Sequence, residues 1–437
     1  MFKIFLSFLL ASITLKAISI ELASIDISLY RLLLFPFIGL MVAALIINSD
    51  LRRRFKSYFL IGINSYIVLI FLLSTISFII SYSYHVESIF SIRIIIGYIS
   101  FISYFVLFPI VFILAFNNRN SFNQVVLHSS KILYGCLLFG VAQVFLDLVG
   151  ITISFEALTE FTEGNKSLWF GTAILRPNSF FGEPRDLASL VIPIMIFYRF
   201  VRLEYSLKKI DYFLILFLGI ISASITFILV LGLCVFLYIF FSKNSLIKIA
   251  MLIFIFLLTI TFSLYFSDIQ LFIEEQLPRF LILFTLTDLT DASGNSDLFV
   301  QATDILLGIY LFDIVSMNIS IFNSLFGYGL GSGIIIVGDY MVSMFGSYLP
   351  ENSVFNTRIL AFTWLIEFGL VGCGLMILWV QRLIKIFCTI NNLKIRNISF
   401  LVYLSIGCCM LSQSYFFVAI IMYLMAANLK FKDEQLN

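Results

Sequence analysis

Arg176, Glu183, Arg185 and Asp186 place four charged side chains within eleven residues of "RPNSFFGEPRDLASLVIPIMIF", at the threshold of an apolar run. Guanidinium presents a planar fork of donors that matches phosphate oxygens, and it keeps its charge. An arginine beside a bilayer also has a plainer use, contacting lipid head groups or snorkelling. Pro184 suits the first position of a helix and Asp186 its first turn. A helix start therefore accounts for these two residues, but not for Arg176 or Arg185. The N–H groups at a helix N-terminus also favour anions, so this corner is a candidate diphosphate site.

Further along, Arg279 stands almost alone among the carboxylates of 267–356, and Arg358 follows just beyond. Glu367 sits in the apolar "WLIEFGLVGCG". A carboxylate within a membrane segment is a functional candidate; an equal alternative is a hydrogen bond to a neighbouring helix. "FGYGLGSG" repeats glycine at 327, 329, 331 and 333 but is neither a dinucleotide fingerprint nor a Walker loop. It reads as a flexible turn, or as glycines that let backbone approach a bulky ligand. His85 and His128 lie outside the two large loops described below, which excludes a histidine base there. The six cysteines form no CxxC pair and no Cys/His cluster, so they read as small buried hydrophobes. Neither a metal nor a cofactor is expected.

These residues need elements to hold them. The chain has 437 residues, 61% hydrophobic and 12% charged, with mean hydropathy +1.08. Soluble domains are about 25% charged. The composition predicts an all-α polytopic membrane protein, one integral membrane domain over 1–437. The net charge of +2 suggests no nucleic-acid partner. Apolar runs predict about twelve spans, roughly 4–20, 29–47, 58–80, 92–116, 131–150, 186–202, 210–222, 224–241, 246–266, 357–380, 398–411 and 413–429. The first reads as an uncleaved span rather than a secretory signal, because Lys16 occupies the place of small cleavage-site residues. Lys208 and Lys209 before 210–241, with Lys243 and Lys248 after it, require a tight hairpin turning near 222–224.

The remaining basic residues then fall on one side, with both termini cytoplasmic. The other side receives two large loops, 151–185 and 267–356. Within the second, Asp297, Gln301, Asp304 and Gly308 form a polar stripe at helical spacing. This predicts a peripheral amphipathic helix rather than a span.

Four stretches in this order resemble the bacterial O-antigen polymerase (Wzy) and O-antigen ligase superfamily. They are "RPNSFFGEPRDLA", "RFLILFTLTDLTDASG", "LFGYGLGS" and "ENSVFNTRILAFTWLIEFGLVG". Where ligases carry histidine before asparagine, this chain has Glu351 before Asn352, which favours polymerase over ligase. The spacing from Arg279 to Gly294 is one residue shorter than the common polymerase pattern.

The resemblance implies a glycosyltransferase of GT-C-like architecture in the bacterial inner membrane, with two large periplasmic loops. It implies polymerisation of oligosaccharide repeat units linked to undecaprenyl diphosphate. Partners would be that lipid-linked oligosaccharide, membrane lipids and a chain-length regulator protein. Arg176 and Arg279 would hold the diphosphate, helped by Arg185 and Arg358, and Glu183 or Glu351 would take the proton of the attacking hydroxyl. Alternatives are the ligase activity, or a lipid-linked oligosaccharide flippase or other transporter. Transporters usually carry mid-bilayer charge and internal repeats. Here mid-span charge is nearly confined to Glu367 and no repeat is apparent, which favours surface chemistry.

Overall fold

The computed structural model describes residues 2–13, 19–22, 25–53, 56, 65–82, 98–99, 101–107, 119–153, 166–169, 172–181, 183–222, 224–264, 321–333, 336–337, 359–412 and 415–435. Helices dominate. In chain order they are α1 (Phe2–Ser12), α2 (Leu29–Ile47), α3 (Ser65–Tyr82), α4 (Arg119–Leu148), α5 (Pro184–Val201), α6 (Lys209–Ile221), α7 (Ile225–Phe241), α8 (Ser245–Leu264), α9 (Ile321–Phe326), α10 (Leu360–Ile390), α11 (Ile395–Met410) and α12 (Phe416–Gln435). A π-helical turn covers Ser103–Leu107. Two of these helices, over Asn120–Leu148 and Leu360–Ile390, are long and apolar enough to cross a membrane.

The strands among the described residues form two antiparallel ribbons. β1 (Ser19–Leu22) pairs with β2 (Ile25–Ser28), and β3 (Lys166–Trp169) with β4 (Thr172–Leu175). The first corrects the expected span 4–20: α1 stops at Ser12, and the chain is already extended by Ser19. Isoleucine at 20, 25 and 27 favours an extended backbone over a helical one.

A second correction concerns α4. The sequence predicts a cytoplasmic loop between Arg119 and Lys131, yet the helix starts at Arg119 and runs unbroken to Leu148. Phe122, Val125, Val126, Leu133 and Leu137 are all buried. Their three-to-four-residue spacing carries one apolar face through the polar stretch.

The described residues divide into two compact units. The first draws on Met1–Tyr30, Val125–Gly294 and Arg396–Phe416. Its centre is α5, in which Leu187 to Phe197 are buried without interruption. A helix buried all round belongs to an interior, and α5 packs against α6 and α7. The turn expected near 222–224 lies between α6 and α7, with Ser222 ending one helix and Ser224 preceding the next. Close helix approach uses glycine: a Cβ on Gly407 would overlap the Leu233 side chain.

The second unit draws on Arg31–Gln124, Asn295–Ile395 and Phe417–Asn437. Here α10 packs against α3 and the short α9. Phe101, Phe105, Trp364, Phe368, Trp379 and Phe417 meet around α10, with ring centroids 4.7 to 6.4 Å apart. In the first unit the exposed faces of α7 and α8 are apolar as well. Leu252, Phe254 and Phe256 on α8, and Phe236 and Phe240 on α7, are more than half exposed. Such a surface suits lipid rather than water.

Candidate functional site

The first unit builds its candidate site where β4 runs into α5. Pro184 is the first helical residue and Asp186 lies in the first turn, buried at 2% exposure. Glu183 precedes the helix with extended backbone and does not cap it through its side chain. Instead its carboxylate lies 2.8 Å from Arg185 Nη2, Glu183 exposed and Arg185 largely covered.

Arg176 follows β4 directly. Its Nε donates to the carbonyl of Ser222 at 2.7 Å. That carbonyl belongs to the residue closing α6, where backbone acceptors carry partial negative charge and attract a cation.

The loop between these arginines is tied to α4. Leu175 N–H donates to Asp147 Oδ2 at 3.1 Å, and Thr152 Oγ1 donates to Asp147 Oδ1 at 2.7 Å. Ser179 N–H donates to Gln143 Oε1 at 2.7 Å, and Gln143 Nε2 donates to the Ile153 carbonyl at 2.9 Å and to Asn178 Oδ1 at 3.2 Å. Ser179 Oγ donates to the Cys136 carbonyl at 2.6 Å. Ser179 is fully buried with φ 51°, a left-handed conformation uncommon outside glycine and enriched at functional sites.

Of the candidate residues, the structure places Arg176, Glu183 and Arg185 in this one segment. Arg279, Glu351 and Arg358 lie outside the described residues, as does the stretch expected to form the peripheral helix. Gln143 and Asp147 escaped sequence reasoning. The signal was there: two polar residues spaced i, i+4 within the apolar "CLLFGVAQVFLD", which puts both on one helix face.

Glu367 and the glycine turn come together in the second unit. Gly369 has φ 64° and ψ −173°, which breaks the helical course of α10. The carbonyls of Ile366 and Glu367 instead accept N–H groups from Tyr328 at 2.8 Å and Gly329 at 3.1 Å. Glu367 Oε1 accepts the Gly331 N–H at 2.9 Å. From α3, Ser77 Oγ donates to the Phe326 carbonyl at 3.1 Å. A Cβ on Gly329 would lie 2.5 Å from that of Phe78, and one on Gly327 would overlap the Glu367 carbonyl. The glycines of "FGYGLGSG" thus allow close approach of the protein's own backbone, and the turn is pinned rather than flexible. Burial pushes the Tyr328 phenol up to about 12, with the Asn323 side chain acting in the opposite sense. Glu367 is buried, and its carboxylate serves the backbone of the glycine turn.

A third polar cluster closes the α5–α6 turn. Arg199 Nε and Nη2 reach both oxygens of Asp211 at 2.7 Å, and its Nη1 reaches Glu204 at 2.8 Å. Asp211 also accepts the Lys208 N–H at 2.7 Å. The Glu204 carboxylate is held below its usual range, first by the Arg199 hydrogen bond and then by Lys208. Arg199, one of the basic residues that the sequence sets on one side, is 5% exposed and paired within its own turn.

Among the described residues no group of His, Cys, Asp or Glu could hold a metal. Searches of protein-family models, of curated proteins and of solved structures give no match to this chain.

Proposed function

We propose that this chain is a multi-pass inner-membrane glycosyltransferase that polymerises oligosaccharide repeat units carried on undecaprenyl diphosphate. About twelve spans in a GT-C-like arrangement, with both termini cytoplasmic, would set 151–185 and 267–356 on the periplasmic face. The donor arrives activated, so no nucleotide is required there. The acceptor hydroxyl attacks the anomeric carbon of the donor glycan. A new glycosidic C–O bond forms as the bond to the diphosphate breaks, and the electron pair leaves with the diphosphate. Charge developing on that leaving group needs preorganised cations. Arg176 and Arg279 take this role, with Arg185 and Arg358 assisting. The hydroxyl proton passes to a carboxylate, first Glu183 and second Glu351.

The observation that carries this reading is the hold on Arg176. A loop with a buried left-handed serine and a buried glutamine contact delivers the arginine between β4 and α5. Such investment exceeds what a head-group contact needs. The 2.8 Å Glu183–Arg185 pair also orients the proposed base.

Alanine at Arg176 or at Arg279, at normal protein level, should leave glycan carrying a single repeat when surface polysaccharide is resolved on a gel. Lysine at either position should restore only part of the ladder, because it offers a point charge instead of a fork. Long chains persisting in both alanine variants would overturn the diphosphate assignment. Deleting the gene should collapse the ladder to one repeat; loss of every repeat would instead favour ligase or flippase activity.

A further inference from the structure

We propose that Gln143 is the positioning residue for Arg176, a role that rests on the diphosphate function proposed for that arginine. Arg176 is bracketed by anchors on α4. On one side Leu175 is held by Asp147, and on the other Asn178 and Ser179 are held by Gln143. Cys136, Gly140, Gln143 and Asp147 are spaced i, i+4, i+7, i+11, one stripe of the helix. Cys136 contributes its carbonyl to Ser179 Oγ. Gly140 leaves room: a Cβ there would meet Leu187 at 3.3 Å, Leu218 at 3.4 Å and Ser179 at 3.8 Å.

Within the stripe Gln143 is fully buried and engaged at both ends of its amide, accepting from Ser179 and donating to Ile153 and Asn178. That double engagement fixes the amide orientation. Between Arg176 and Asn178 stands Pro177, whose ring fixes one backbone dihedral. Few soft torsions therefore separate the glutamine contact from the arginine. Stability alone would favour an apolar residue at 143 with a relaxed loop. A glutamine that accepts the N–H of a left-handed serine specifies where the loop goes.

The test uses the full-length protein in its membrane. Gln143→Met keeps side-chain length and removes the amide, while Gln143→Glu keeps an acceptor for the Ser179 N–H. In an Arg176→Cys background, labelling by a membrane-impermeant thiol reagent reports the position of residue 176 independently of activity, with Arg176-intact protein as the blank. Gln143→Met should change that labelling rate several-fold, with the melting temperature lowered modestly by the orphaned Ser179 N–H, and Gln143→Glu, which keeps that acceptor but gives up the donors to Ile153 and Asn178, should restore it in part. With Arg176 intact, Gln143→Met should lower kcat for repeat addition about 10- to 100-fold with little change in KM. In an Arg176→Ala background it should add no further loss. If Gln143→Met does not accumulate, Gln143→Asn, one methylene shorter, is measured in its place. An unchanged labelling rate overturns the positioning role whatever the activity does. Altered labelling with normal repeat addition overturns the reaction role of Arg176 instead and leaves the anchor standing.

Discussion

Gly369 and Gly327 cross so closely that a Cβ on Gly369 would fall 2.5 Å from the Gly327 amide nitrogen. Both have positive φ, at 64° and 76°, backbone that favours glycine. The break at Gly369 and the hydrogen bonds from Tyr328 and Gly329 to the Ile366 and Glu367 carbonyls are thus parts of one device. It fixes the turn at 327–331 to α10.

Gly369→Ala should therefore cost more than the usual 1–2 kcal/mol or so of a left-handed L-residue, because overlap with backbone adds to the conformational strain. Thermal unfolding in detergent and protein level in the membrane both report it. Gly374, in the same helix with nothing within 4 Å of an added Cβ, is the control and should tolerate alanine. Equal effects at the two positions would contradict the crossing.

Glu367→Ala should destabilise by roughly 1–3 kcal/mol, the cost of leaving a buried N–H, here that of Gly331, without its acceptor. Glu367→Gln keeps an acceptor oxygen and should be close to neutral in both unfolding temperature and glycan ladder length. A glutamine variant that folds normally but makes no long chains would give the carboxylate a chemical role instead.

Arg199→Ala leaves Asp211, fully buried, without its bidentate partner and should cost about 3–5 kcal/mol. Lysine offers no fork to engage both oxygens and should recover less than half. Replacing both residues with leucine should harm the protein less than Arg199→Ala alone, since no buried charge is then orphaned. The unfolding temperatures of the parent, Arg199→Ala, Arg199→Lys and the double leucine variant decide this.

Local signals in the sequence were legible, and pairings across the chain were not. Pro184 and Asp186 mark the start of α5 because proline and an early acid act within one turn. Basic residues flanking 210–241 point to a turn within it, and the break between α6 and α7 falls there. By contrast, Glu367 meets Gly331 only because Gly369 breaks α10, and no local propensity announces a glycine of positive φ inside an apolar helix. The contact of Gln143 with Ser179 spans 36 residues, so no local pattern pairs them. The pairing of Arg199 was hidden for a related reason: its burial depends on Asp211 arriving from α6.

Acid should loosen the α5–α6 turn. Glu204 is held below its ordinary range chiefly by the hydrogen bond from Arg199, then by Lys208. A carboxylate whose folded pKa is depressed contributes stability that is fully present above its unfolded pKa, near 4.3. That contribution fades as pH falls through the lower folded value. Unfolding temperature should therefore drop between pH 7 and pH 3, and Glu204→Gln should reduce the drop while lowering stability at pH 7. Proteolysis at the exposed Leu203 offers a local probe, with cleavage expected to rise in acid for the parent protein and to be raised already at pH 7 in the glutamine variant. An identical pH response in parent and variant would exclude Glu204 as the acid-sensitive member of the cluster.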